Sequence, residues 1–426
     1  MFSQRVVRSN DGHRPRTMTG ETPETEVDEV SYLDLVTDGR FLLTILVTFT
    51  GGLAISGVPV ALPAIAETLQ VSDGRIGLVQ TVFALPIIVM IPLVGVLADT
   101  YGRRPIVLWS LALFGLSGVA TLMVSSFEVL LALRVLQGIA FVGTLPLSTT
   151  IVGDLYTGPT GASAQGIRAS VGGVAGIVAP AIAGVLAGLA WNYPFGLFAF
   201  AFPVLLLVYL YFPEPLSDGA IKDDTPVMSA LSGYWTAFRE EANDFTFLLL
   251  AVGGFIDLFV RQALLVFVPL YAVRIVGASV FEIGLVISAY GVIRAISSPF
   301  AGEFVSTLGR KRTLALAIGF MGLGLGALPL VSGVVLVGVL VVVFGAGEAV
   351  FIPSLNDSMA AFASEDRRAG IIGSIQSIKN IGRAVAPAFF GVVLAVGGFP
   401  VLFLTAGVIA GLYASVVLTY FDSDTI

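Results

Sequence analysis

Gly95-Val96-Leu97-Ala98-Asp99-Thr100-Tyr101-Gly102-Arg103-Arg104-Pro105 lies between two long apolar runs. It therefore reads as the tight turn between two helices that cross a membrane. Asp99 stands where the first helix leaves the apolar layer. Gly102 lets the chain reverse at once, because glycine takes positive φ at little cost. Arg103 and Arg104 place two positive charges on one side of the membrane. The pattern returns as Gly302-Glu303-Phe304-Val305-Ser306-Thr307-Leu308-Gly309-Arg310-Lys311-Arg312, 207 residues later. One hairpin built twice, half a chain apart, predicts a duplicated bundle of membrane helices.

The composition agrees. Of 426 residues, 56% are hydrophobic and only 12% charged, against about 25% charged in a soluble domain. Glycine, commoner in membrane helices than in soluble ones, occurs 49 times. There is no cysteine, and the one histidine is His13 in the polar N-terminal stretch. Disulfides, thiolate nucleophiles and clusters of imidazole ligands are thereby excluded, and any proton relay has to use carboxylates. No phosphate-cradling G-x-x-x-x-G-K-[ST] pattern is present, which argues against an ATP-driven pump. No enzyme activity, cofactor, metal or nucleic-acid partner is expected. The formal charge is −7, and only Lys222, Lys311 and Lys379 among 22 basic residues are lysines. That bias fits either a salt-rich cytoplasm or a genome that favours arginine codons.

A spanning helix needs about 20 apolar residues. On that rule the chain has twelve, near 41–65, 75–98, 105–124, 128–152, 165–189, 193–212, 245–273, 280–304, 313–331, 333–357, 368–396 and 399–420. The expected organisation is a disordered tail (1–40), a six-helix bundle (41–212), a polar linker (213–243), a second bundle (244–420) and a short tail (421–426). The 207-residue shift aligns the bundles without a gap. Ile76-Gly77-Leu78-Val79 falls on Ile283-Gly284-Leu285-Val286, Pro146 on Pro353, and Gly166, Ser170, Pro180 and Gly184 on Gly373, Ser377, Pro387 and Gly391. Positive loops stay on the cytoplasmic side. Fifteen lysines and arginines fall in the N-terminal stretch and the loops on its side, against Arg75 and Arg274 opposite. Both termini are expected in the cytoplasm, in a multi-pass protein of the cell membrane.

Gly95, Leu97, Asp99, Gly102, Arg103 and Arg104 resemble the loop between helices two and three of the major facilitator superfamily of secondary transporters. Leu133-Arg134-Val135-Leu136-Gln137-Gly138 resembles the helix-four signature of its proton-coupled members. Gly172-Gly173-Val174-Ala175-Gly176-Ile177-Val178-Ala179-Pro180-Ala181-Ile182-Ala183-Gly184 resembles the helix-five signature of its twelve-helix drug:proton antiporters, with Ala179 and Ala183 where that signature has glycine. The resemblance implies an all-α fold of two pseudo-symmetric six-helix bundles, a monomer that moves a small organic solute by alternating access. Proton-coupled efflux is the expectation. Uptake of an organic anion or metabolite with protons or sodium is the alternative, and a receptor of the same fold a further one. In the family, a carboxylate at the place of Asp99 seats against the first turn of helix eleven and latches the cytoplasmic side shut. Gly95, Gly102, Arg103, Arg104, Asp154, Gly302, Gly309 and Arg310 belong to the same gating region, with Asp154 placed to pair with Arg103.

Charges inside the spans mark candidate function, because each costs about 2.5–3.5 kcal/mol on insertion scales. They are Arg134, Arg261, Arg294, Lys379 and Arg383 against Asp257 and Glu348. Asp257 or Glu348 is the expected proton carrier, with Arg134 as modulator. Asp257 and Arg261 lie four residues apart, the spacing of a helical ion pair, whereas Glu348 has no opposite charge nearby in sequence. The excess of cations predicts an anionic or zwitterionic ligand, met by Arg261, Arg294, Tyr290 and Gln137, with Ser297 and Ser298 adding neutral donors.

Overall fold

A computed structural model describes Leu35 and residues 37–215, 244–362 and 368–421, without the side chains of 368–374. The expected N-terminal tail up to residue 34, most of the linker (216–243) and the last five residues lie outside them. Among the described residues, ten helices are long and apolar enough to cross a membrane. They are α1 (Gly39–Ser56), α2 (Asp73–Tyr101), α3 (Arg103–Thr121), α4 (Phe127–Leu155), α5 (Gly158–Leu189), α6 (Tyr193–Tyr211), α7 (Phe245–Val276), α8 (Val280–Leu308), α10 (Val334–Phe362) and a final helical stretch ending at Tyr420. Two facts bring the passes to twelve. Helix α9 (Arg310–Gly326) has 17 residues, just short of a standard span. The last stretch breaks at Gly398, whose φ of 72° and ψ of −177° no helix contains, which separates α11 (368–397) from α12 (399–420).

Several helices outrun their predicted ends. Helix α5 starts at Gly158 rather than near 165, and α10 runs to Phe362 rather than 357. The apolar stretch fixes only the length inside the hydrocarbon, and helices continue beyond it into polar residues. Proline bends others. After α1, the chain turns at Gly57 and resumes as Val58–Thr68 with Pro59 in its first turn. In α7, wider π-turns cover Ala263–Phe267 and Ala272–Val276, on either side of Pro269. Proline has no N–H to give the preceding turn, and such bulges often sit at functional positions.

The repeat is visible in the backbone. Gly102 has φ 92° and ψ 161°, and Gly309 has φ 78° and ψ 156°. Those angles belong to a region open essentially to glycine alone. The two halves meet at the end of the bundle away from these turns, and the contacts there are also repeated. A Cβ on Gly77 would stand 2.6 Å from the carbonyl oxygen of Pro387, and one on Gly284 would stand 2.7 Å from that of Pro180. The two contacts are related by the same 207-residue shift. Small residues let membrane helices approach this closely. Nearby, the Ser288 hydroxyl donates to the Ile177 carbonyl at 2.7 Å, and Arg274 lies 3.6 Å from Asp73 across the same seam. At the opposite end, no heavy atom comes within 4 Å of a Cβ placed on Gly95 or Gly302.

Candidate functional site

At the glycine-turn end, Arg103 is buried and forms two ion pairs, with Asp99 at 2.6 Å and Asp154 at 2.9 Å. The turn also carries a group the sequence reading did not single out. Glu214, just past α6, accepts the backbone N–H of Arg103 at 2.7 Å and of Arg104 at 3.0 Å. These are orphan donors at the start of α3, where a carboxylate also complements the helix dipole. Arg104 reaches back to the Tyr209 carbonyl at 2.6 Å. In the second half Arg310 pairs with Asp357 at 2.8 Å, and the Ser306 hydroxyl only bonds the Glu303 carbonyl at 2.9 Å. Asp357 was missed because it sits one helical turn off the repeat register of Asp154, which falls on Ala361. Asp99 itself is half-exposed. Its expected seat on the first turn of α11 involves side chains outside the described residues.

The same end has a small cap network outside the spans. Asp38 accepts the Arg40 backbone N–H at 2.8 Å and the Tyr156 hydroxyl at 2.6 Å. Burial alone would raise the Asp38 carboxyl, but the hydrogen bonds from Arg40 and Tyr156 outweigh it and hold it below the usual carboxylate range. Burial and that carboxylate push the Tyr156 phenol up.

Deeper in the second half, four helices bring their charges together. Glu348 on α10 has no exposed surface. One of its oxygens meets Arg261 of α7 at 3.0 Å and Arg294 of α8 at 3.6 Å, and the other accepts the Tyr290 hydroxyl. The Arg294 guanidinium also lies 5.4 Å from the Tyr290 ring centre. Arg261 therefore takes a partner 87 residues away. The local pair with Asp257 suggested by helical spacing does not form: among the described residues the cation beside Asp257 is Lys379 of α11, at 4.0 Å. Asp257 is fully buried, and neither of its oxygens has a hydrogen-bond partner.

Arg134, in the first half, is fully buried without a carboxylate. It donates to the Val79 carbonyl at 3.1 Å, to Gln137 at 2.9 Å and to Gln80 at 3.1 Å, and lies 4.1 Å from the Phe83 ring centre. Gln137 passes its amide N–H groups to the Ser117 carbonyl and the Thr121 hydroxyl, both at 3.2 Å. The four residues expected to bind ligand are thus split. Arg261, Arg294 and Tyr290 converge on Glu348, while Gln137 belongs to the interior of the other half. Among the described residues, no group of three or more metal-ligating side chains occurs.

This architecture has relatives. The solved nucleoside transporter NupG superposes with a TM-score of 0.75 at 16% identity, covering 90% of this chain and all of that one (100%). A bacterial homologue of the human lysosomal transporter Spinster, in an inward-facing and unoccupied conformation, gives 0.72 at 18% identity, over 91% and 98% of the two chains. In sequence, the chain is 27% identical over 351 residues to the class G tetracycline resistance protein of Vibrio anguillarum, 80% of this chain and 85% of that protein. It is 33% identical over 147 residues to the bacillibactin exporter of Bacillus subtilis, 32% of this chain and 36% of the exporter. The match to the efflux pump MMF1 of Pseudozyma antarctica likewise spans only 38% of that protein. The family model described as Major Facilitator Superfamily matches residues 44–256 and 250–425, one segment for each copy of the hairpin repeat. With both copies matched, the chain belongs to the major facilitator superfamily of transporters and resembles its drug:proton antiporter group.

Proposed function

We propose that this transporter is a proton-driven exporter of a small organic solute, and that Asp257 carries the proton. The observation that carries the reading is the contrast between the two buried carboxylates. Neutralising Glu348 would strand two guanidinium groups, and an unpaired buried charge is expensive. Asp257 has one cation at 4.0 Å and no hydrogen bond to lose. A proton can therefore come and go at Asp257 at less structural cost. Export is supported by the relatives described as a tetracycline resistance protein and a multidrug efflux pump, which align over 85% and 86% of their lengths.

In this reading the halves, 41–212 and 244–420, rock about a central path. The lysine and arginine count puts the glycine-turn end in the cytoplasm of a cell-membrane protein. With the halves joined at the opposite end, the described arrangement is open inward. Asp99, released from α11 here, returns to it when that side closes. One observation favours a second reading, uptake of an organic anion with a proton: Arg261, Arg294, Lys379 and Arg383 outnumber Asp257 and Glu348 in the second half.

Everted vesicles holding an imposed pH gradient test both. Tetracycline and riboflavin are natural first compounds, given the printed names of two relatives. Export by exchange dissipates the gradient when the compound is added, and Asp257→Asn abolishes that signal while sparing exchange of labelled compound. Uphill export that survives in Asp257→Asn would place the coupling elsewhere.

A further inference from the structure

The ion pairs of the second half leave one cation over. Arg383 on α11 has no hydrogen bond or ion pair among the described residues, and it lines a cavity at the seam between the halves. Four helical segments build this cavity, two from each half. Ile55 and Pro59 come from either side of the Gly57 bend, Gln80, Phe83 and Ala84 from α2, and Gln262 and Leu265 from α7. Arg383 stands one turn from Lys379, which is already beside Asp257.

The neutral polar groups of the cavity are also unspent. Gln80 is 5% exposed and its amide nitrogen has no partner. Its orientation follows from chemistry. Arg134 offers only donors, so the Gln80 carbonyl oxygen has to face that guanidinium, 3.1 Å away. The Nε2 N–H groups are left pointing elsewhere, with nothing to accept them. Gln262 is 7% exposed and also makes no hydrogen bond among the described residues. A buried donor without an acceptor costs about 1–3 kcal/mol, and here two such amides stand beside an uncompensated guanidinium. Ile55, Pro59, Phe83, Ala84 and Leu265 make the remaining wall apolar.

We infer that this cavity is an anion site, in which Arg383, with the Gln80 amide N–H and Gln262, grips the carboxylate of a compact monoanion whose apolar body packs on Phe83 and Leu265. The inference rests on the reading above only in taking the seam as the solute's path. It assigns Arg134 a positioning role, as the group that turns the Gln80 donor towards the ligand, and it relieves Arg261 and Arg294 of ligand contact, since Glu348 occupies both.

The test is equilibrium binding to the full chain in phosphatidylcholine nanodiscs, with benzoate, benzamide and benzyltrimethylammonium as probes of one shape and three charges. Benzoate binds, and the amide and the cation bind about tenfold more weakly or less, the range expected for losing a charge-assisted contact. Arg383→Gln lowers benzoate affinity about tenfold or more, while Arg383→Lys, which keeps the charge, retains most of it. Gln80→Leu weakens benzoate with Arg383 intact, and serves as the informative variant if Arg383→Gln does not fold. Benzamide or the cation binding as tightly as benzoate, no detectable benzoate binding, or benzoate binding unchanged in both Arg383→Gln and Gln80→Leu would overturn the site. No pH gradient is involved, so failure here leaves proton coupling through Asp257 standing, and loss of that coupling leaves the site standing.

Discussion

The two halves share one backbone plan and differ in how they treat buried charge. In the first, Arg134 is dissolved in neutral dipoles: a carbonyl and two glutamines. In the second, Glu348 is clasped by Arg261, Arg294 and Tyr290, and Asp257 stands beside Lys379. Register makes the contrast sharper. Phe83, which covers Arg134, and Tyr290, which holds Glu348, occupy equivalent positions, each packed on a glycine of the next helix, Gly138 and Gly345. A solvated arginine can only be held in place. A carboxylate among cations can change charge, and a transporter needs that in at least one half.

The largest effect expected to break or sharpen this contrast is Glu348→Gln. It leaves two arginines buried without their anion and should lower stability by about 3–5 kcal/mol. The matching change in the first half, Gln137→Leu, removes one of the acceptors around Arg134 and should cost about 1–3 kcal/mol. Thermal unfolding of the purified chains ranks the two. Equal losses would mean that Glu348 is less tightly engaged than its contacts indicate, and that the halves do not differ as described.

The glycine turns come next. Alanine at either Gly102 or Gly309 meets a conformation that costs a side chain about 1–3 kcal/mol. At Gly102 its Cβ also runs into the Glu214 carboxylate that caps α3. At Gly309 nothing lies within 4 Å, and the residue in register with Glu214 is Phe421. Gly102→Ala should therefore destabilise more than Gly309→Ala, and Glu214→Gln should bring the two closer together. A larger loss at Gly309 would remove the capping role assigned to Glu214.

These comparisons also mark what the sequence could reveal. The twelve passes and their duplication are legible, because apolar length and a fixed shift survive in one dimension. Gly77, Gly284, Pro180 and Pro387, aligned by that shift, prove to be the contacts that join the halves. The charge partners are less legible. Helical spacing ties Arg261 to Asp257, yet Arg261 reaches Glu348 on another helix, because a buried guanidinium takes the carboxylate its packing presents. Asp357 hides one turn off register, and Glu214 hides behind the end of an apolar run. Arg383 looks like any other buried arginine until the pairs that leave it out are known.

The smallest effect concerns the seam. Asp73 and Arg274 face each other across the halves at 3.6 Å, each about a third exposed. Pairs of this kind contribute about 0.2–1 kcal/mol, so Arg274→Gln should favour opening at that end by about 1.4- to 5-fold. The native chain has no cysteine, so Ile76→Cys, buried beside the Gly77 contact, gives a clean reporter for an impermeant maleimide. Arg274→Gln should speed its labelling at low ionic strength. At 1 M salt, where screening acts within about 3 Å, the reporter chain with Arg274 intact should label nearly as fast as the variant. Arg75 lies on the same side but stands over the Phe127 ring, 5.8 Å from its centre, within the first half. Arg75→Gln should leave labelling unchanged. If it speeds labelling as much as Arg274→Gln does, general charge at that end holds the seam shut, and the Asp73 contact is incidental.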